Sequence, residues 1–236
     1  MAESSAASDA AIVKTFEALG ASFVSGAAPL REAFLATRLL IFDWDGVLGS
    51  GTKGAVSGTS VFNEHDSMGV NLLRYAIHRR TGQQPLCAII SGAANDAAVE
   101  FAKRERFNYL YTGVRLKHQV LEQLGKVIDA TTLANATCFF DDVNDFPLAA
   151  RCRLRLMIRR RSSPVLSAYA ARNNYADYIS ACSSIEGGVR ECCELLMALG
   201  GDFAEVIESR VAGDERYEAY FAERQRVVLQ QPAGSH

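Results

Sequence analysis

The chain has 236 residues, 49% of them apolar and 22% charged, with a formal net charge of −2. That length suits one full domain with a sizeable core and is short for two. The near-neutral balance gives no electrostatic case for nucleic acid or an anionic membrane as the main partner, and no apolar stretch approaches the ~20 residues of a membrane span.

The start, Met1-Ala2-Glu3-Ser4-Ser5, lacks the basic segment and apolar core of a signal peptide. The six cysteines (Cys87, Cys138, Cys152, Cys182, Cys192 and Cys193) show no C-x-x-C spacing, and several lie in apolar runs. They read as reduced thiols of a cytoplasmic protein, outside any disulfide framework or zinc site. The four histidines (His65, His78, His118 and His236) are not paired at ligand spacing. Any site must therefore be built from carboxylates.

In chain order, residues 1–8 are small and polar and are expected to fray. From Ala11 to Ala36 apolar residues recur at helical spacing through Ile12, Phe16, Leu19 and Phe23. A break at Gly26–Pro29 then precedes a short helix with Phe34 and Leu35. The run Leu39-Leu40-Ile41-Phe42 reads as a strand buried on both faces. Asp43 and Asp45 follow at its end, and then Gly46. Residues 49–60, rich in Gly, Ser and Thr, predict a loop or short hairpin at the mouth of a site. An amphipathic helix with Val70, Leu72, Leu73, Tyr75 and Ile77 should end near Gly82.

Further strands are expected at Leu86–Ile90, Tyr109–Tyr111, Thr137–Phe140, Leu154–Ile158 and Tyr178–Ile179. Helices are expected at Ala93–Lys103, Leu116–Ile128 and through most of 187–231. The arginines at 151, 153 and 155 alternate with Cys152, Leu154 and Leu156, which suggests a half-exposed or edge strand. The basic cluster up to Arg161 reads as a solvated face rather than an anion-binding patch. The stripe of Tyr217, Tyr220, Phe221, Arg224 and Val228 reads as core or a subunit contact. Strands alternating with helices imply βαβ units with right-handed crossovers, hence an α/β fold with a mostly parallel sheet.

Four strand ends then carry complementary groups: Asp43 and Asp45 on the first, Ser91 on the second, Lys117 beyond the third, and Asp141, Asp142 and Asp145 on the fourth. In a parallel sheet all of them point at one edge, where ligands gather. Several carboxylates meeting there need a hard cation, and Mg²⁺ takes oxygen ligands and water. A lysine and a serine hydroxyl beside them suit a phosphoryl group.

These motifs resemble those of the haloacid dehalogenase (HAD) superfamily in its phosphatase branch. The matching segments are Asp43-Trp44-Asp45-Gly46, Ile89-Ile90-Ser91-Gly92, Gly113-Val114-Arg115-Leu116-Lys117, and Asp141 to Asp145. The stretches 46–90 and 118–140 already hold a helix and a strand each, and neither has room for a cap domain of ~50 residues. The chain is thus similar to the cap-less members. Residues 62–70, 111–117 and 187–191 resemble the 3-deoxy-D-manno-octulosonate 8-phosphate phosphatases within that branch. Ala93 stands where that group usually has Arg, and Ser67 where it often has Gly.

The resemblance covers roughly 37–198, implying a HAD-like catalytic core of three Rossmann-like layers. Residues 1–36 are left as a helical leader and 199–236 as a helical extension. It implies a phosphomonoester hydrolase in which Asp43 attacks phosphorus and Asp45 serves as acid and then base. Mg²⁺ would be held by Asp43, the Asp45 carbonyl and Asp141, with Asp145 or Asp142 in support; the i, i+4 spacing with Asp145 favours Asp141 over Asp142. Lys117 and Ser91 would cradle the phosphoryl oxygens. Asn144 could orient Lys117 or Asp145, or cap a helix. Gly92, Glu64 and His65 could touch substrate, as could Asp66, which could equally start a helix. The expected substrate is a small phosphorylated metabolite such as a sugar phosphate, and the expected assembly a homo-oligomer such as a tetramer, with Arg190 able to reach a neighbouring subunit. The rival readings are dehalogenase or phosphonatase chemistry, disfavoured by Asp45 and by the missing cap, and a non-catalytic assembly or regulatory module.

Overall fold

Leu39–Phe42 is the central strand because both of its faces are apolar. Leu40 and Phe42 point into one hydrophobic layer, Leu39 and Ile41 into the other, and all four are fully buried. Each such side chain contributes roughly 1.5–3 kcal/mol relative to exposure. A computed structural model describes residues 2–52 and 61–232 of the chain.

Seven strands form the sheet: β1 (Ser22–Phe23), β2 (Leu39–Phe42), β3 (Leu86–Ile90), β4 (Tyr109–Tyr111), β5 (Ala136–Phe140), β6 (Leu154–Met157) and β7 (Tyr178–Ile179). Their order is β1-β7-β6-β5-β2-β3-β4. Every pairing is parallel except that of β1 with β7. The registers Leu39↔Leu86 and Leu39↔Ala136 set β2 between β3 and β5, so that the ends of these three strands lie side by side.

Eleven helices are described: α1 (Ala2–Leu19), α2 (Ala27–Ala36), α3 (Glu64–Thr81), α4 (Asp96–Arg104), α5 (Gln119–Leu124), α6 (Ala130–Ala134), α7 (Phe146–Ala149), α8 (Pro164–Arg172), α9 (Gly188–Gly200), α10 (Phe203–Ala212) and α11 (Glu215–Gln225). Apolar faces of α2, α3, α4, α9, α10 and α11 fill the layer under Leu40 and Phe42. Those of α5, α7 and α8 fill the opposite one. The result is a three-layer α/β fold, and no helix of the described residues is long and apolar enough to cross a membrane.

Several elements differ from expectation. The first helix is assigned from Ala2, and it stops at Leu19, before Gly20 at φ +113°. Phe23 therefore lies in a strand, where antiparallel pairing with Tyr178 and an edge-on ring contact at 5.1 Å hold it. The helix expected over 116–128 shrinks to 119–124, with Gly125 N donating to Leu121 O at its end. The expected helix from Ala93 starts at Asp96, because the Asn95 side chain accepts from Ala97 N and Ala98 N and caps it there.

β6 is an interior strand, not an edge. β7 covers its outer side, and Arg155 is satisfied by a two-pronged pair with Asp177, Nε to Oδ2 at 2.9 Å and Nη2 to Oδ1 at 2.7 Å. The six cysteines are all free thiols. Of the predicted loop at 49–60, residues 53–60 lie outside the described residues; Gly49 forms single bridges with Asp45 and Phe62.

The tyrosine stripe is mostly core. Tyr217 and Tyr220 are buried, and Arg224 is buried against Glu105, while Phe221 and Val228 are exposed. Asn71 Nδ2 donates to Tyr217 Oη at 2.9 Å, and Tyr220 Oη donates to Asn71 O at 3.0 Å, fixing α11 on α3. Beyond α11, Leu110 N donates to Gln230 O and Gln230 N to Asn108 O, so the tail pairs with the outer side of β4.

Candidate active site at the carboxyl ends of β2, β3 and β5

Asp43 prolongs the ladder of β2, its N–H donating to Phe139 O at 2.9 Å. The two-residue period of an extended chain then sends Trp44 away from the Asp43 side. The indole is fully buried and meets Phe101 edge-on at 5.6 Å. The chain reverses at Gly46, φ +92°, with Gly46 N donating to Gly49 O and Gly49 N to Trp44 O. A Cβ at Gly46 would overlap Arg160 Nη2 and Asp141 Oδ2. Gly46→Ala is therefore expected to cost about 1–2 kcal/mol from the backbone conformation alone, and more from the collision. Urea denaturation measures it; an unchanged midpoint would show that the turn tolerates a side chain.

From β5 the chain enters Asp141 and Asp142. The Asp142 carboxylate accepts from Val143 N at 2.7 Å and caps a short 3₁₀ turn, Val143–Asp145, which returns Asp145 beside Asp141. Asn144 is exposed and lies within that turn; the N-cap position of α7 falls on Asp145, and the Asn144 side chain makes none of the bonds that hold Lys117. Lys117 lies in the turn just before α5 rather than opening the helix, and its side chain is buried. Its Nζ donates to Asp43 Oδ1 and to Asp145 Oδ1, both at 2.5 Å. Val114 N donating to Ser91 O ties the β4 exit to the β3 exit. Ser91 is buried, its hydroxyl donates to Ala93 O at 3.0 Å, and it does not line the cavity, whose wall here is Gly92 and Ala93.

The cavity measures about 450 Å³, and Asp43, Asp45, Lys117, Asp141, Asp142 and Asp145 all line it. Gly92 and Asn144 do so as well. Glu64 and His65 do not: they occupy the exposed start of α3, where Glu64 pairs with Arg104. Asp66 is buried, accepts from Arg190 N at 2.7 Å, and takes no part in the cavity. Arg190 itself pairs with Glu194 within α9.

Electrostatically the site is short of positive charge. Burial, reinforced by Asp145, pushes the Asp43 carboxyl up to about 8, although Lys117 pulls the other way. Burial likewise raises Asp141 to about 6, against the pull of Arg160, and raises Asp145 against that of Lys117. Burial alone would lower the Lys117 ammonium, but Asp43 and Asp145 outweigh it and hold it protonated. Carboxylate oxygens of Asp43, Asp141 and Asp145 lie within 4.8 Å of one another. Asp141 Oδ1 is buried and meets no hydrogen-bond donor among the described residues. An all-oxygen donor set with such an open acceptor fits a hard divalent cation such as Mg²⁺.

Two arginines complete the cavity that sequence reasoning did not place there. Arg115 lies exposed on its rim. Arg160, read from sequence as part of a solvated face, pairs with Asp141 through Nε and donates from Nη2 to Asp45 O at 3.2 Å. Its position two residues beyond a predicted strand, on the same sheet edge as the aspartates, is the signal that could have found it.

No family model and no curated protein matches the chain. Solved structures do. A YrbI-family phosphatase from Pseudomonas syringae superposes with TM-score 0.62 at 24% identity, covering 78% of this chain and 97% of its own. The 3-deoxy-D-manno-octulosonate 8-phosphate phosphatase of Moraxella catarrhalis, solved with magnesium, phosphate and KDO, gives 0.61 at 20% identity, over 77% and 97%. A HAD-superfamily hydrolase from Legionella pneumophila gives 0.61 at 22% identity, over 78% and 94%. The parallel sheet, its strand order and these superpositions together show that the chain has the HAD-like α/β fold of those phosphatase structures.

Proposed function

We propose that the chain is a Mg²⁺-dependent phosphomonoester hydrolase working through an aspartyl-phosphate. The observation that carries the reading is the buried cluster of Asp43, Asp141 and Asp145, with Lys117 bridging two of its members, at the edge of a parallel sheet. Asp43, the Asp45 carbonyl, Asp141 and Asp145 would hold the cation, with Asp142 supporting through its cap. Mg²⁺, when bound, supplies charge neutralisation between the carboxylates and an incoming phosphoryl group.

The chain's own residues do the rest. The Asp43 carboxylate attacks phosphorus and the ester P–O bond breaks, while the Asp45 carboxyl gives its proton to the departing oxygen. Asp45 then takes a proton from water, which attacks the same phosphorus and frees Asp43. Lys117 neutralises phosphoryl oxygens, and the Ser91 hydroxyl, turned from Ala93 O, donates to another beside Gly92. Residues 37–198 form the catalytic core in this reading, with 1–36 and 199–236 as helical additions to it. The substrate is a small phosphorylated metabolite such as a sugar phosphate. A second copy of the chain, in a homo-oligomer, would cover the open mouth.

Phosphate release from a panel of sugar phosphates, nucleotides and small phosphoesters tests this. Turnover is expected with Mg²⁺, should vanish in EDTA, and should return when Mg²⁺ is restored. Protein that binds Mg²⁺ yet turns over no member of the panel would instead support a non-catalytic assembly module.

A further inference from the structure

Arg160 holds two of the groups assigned above to the cation. Its Nε pairs with Asp141 Oδ2, and its Nη2 donates to the Asp45 carbonyl at 3.2 Å. Bare backbone surrounds the guanidinium: a Cβ at Gly46 would overlap Nη2, and one at Gly51 would lie 3.1 Å from it. The turn after Asp45 is therefore shaped around this side chain as closely as around the aspartates. Arg160 also has somewhere to go. It sits in the loop beyond β6, its side chain is 37% exposed, and it lines the cavity.

We propose that Arg160 and the divalent cation exclude one another: the guanidinium latches Asp141 to the Asp45 carbonyl, and it swings to the cavity mouth when the ion binds. The inference rests on the metal-dependent reading above. Its physical basis is that a guanidinium and a divalent ion on one buried carboxylate are like charges a few ångströms apart in a poorly screened site. In the latched form Arg160 keeps Asp141 from standing as an uncompensated buried charge. Once released, its planar fork faces the space where a substrate anion would lie.

The test is calorimetric titration of Mg²⁺ into the EDTA-treated, dialysed full chain and its Arg160→Gln and Arg160→Lys variants, with melting curves of each. If the latched form outnumbers the open one by about ten to one, Arg160→Gln should bind Mg²⁺ about tenfold more tightly. Arg160→Lys, which keeps charge but loses the fork, should fall between. Arg160→Gln should also melt lower without Mg²⁺ and gain more from its addition. In the wild type, the Arg160 Nε–H resonance, identified by its loss in Arg160→Lys, should shift on Mg²⁺ addition. Equal or weaker Mg²⁺ binding by Arg160→Gln overturns the latch and leaves the phosphatase reading standing. No Mg²⁺ binding by any of the three overturns both.

Discussion

Asp43→Asn is expected to abolish Mg²⁺-dependent phosphate release, with a loss of at least about 10³-fold, because an amide cannot form the acyl phosphate. The substitution is nearly isosteric, and a neutral side chain relieves a crowded group that burial and Asp145 already push toward protonation. The fold should therefore survive, and the loss is chemical. Asp45→Asn offers the complementary result. With a poor leaving group it should lose about 10²–10⁴-fold, the usual worth of a positioned acid. With p-nitrophenyl phosphate, whose leaving group needs no proton, Asp45→Asn should release a burst of nitrophenol and then stall as phosphoenzyme. Rapid-quench phosphate incorporation distinguishes the two variants. Full turnover by Asp43→Asn, or no trapped phosphoenzyme in Asp45→Asn, would sink the assignment of nucleophile and acid.

Asp66 should dominate the pH dependence of stability outside the cavity. Its carboxyl is fully buried at the start of α3; Oδ1 accepts from Arg190 N, while Oδ2 meets no donor among the described residues. Burial raises it from 3.8 to about 7, against the pull of the Arg190 and Val189 amides. The folded state thus binds this proton more tightly than the unfolded chain does. Its contribution is fully present below about pH 4 and is lost as pH rises to about 7, a change on the order of 4 kcal/mol. Asp66→Asn keeps the bond from Arg190 N and cannot ionise. Urea unfolding of both proteins at each pH, in which the shared cavity carboxylates cancel from the difference, should give near-equal stability at pH 4. The variant should be the more stable by several kcal/mol at pH 8. Parallel stability curves across that range would show that Asp66 titrates near its ordinary value.

The sheet was legible in the sequence wherever a short apolar run ended in a turn. Tyr109–Tyr111 and Tyr178–Ile179 lie where those runs stand, and Leu39–Phe42 needed only four residues to be read as buried on both faces. The site was legible because its chemistry clusters at strand ends: parallel strands bring Asp43, Lys117, Asp141 and Asp145 into one cavity although they are far apart in the chain. Helix limits were read less well, since a cap such as Asn95, or a glycine such as Gly125, decides them against the apolar periodicity.

By itself, then, the sequence determined the strand cores, the parallel α/β class and the kinds of group that meet at the sheet edge, because these follow from local pattern and from the handedness of crossovers. Only the tertiary structure decided where polar side chains go once several partners compete for them. Pairing with β7 made β6 an interior strand, and Arg155 went to Asp177. Asp142 capped the turn in which Asn144 lies, and Asp66 went beneath α9 instead of to the cavity. Arg160 left the solvated face for Asp141, because a buried carboxylate attracts the nearest free cation more strongly than water does.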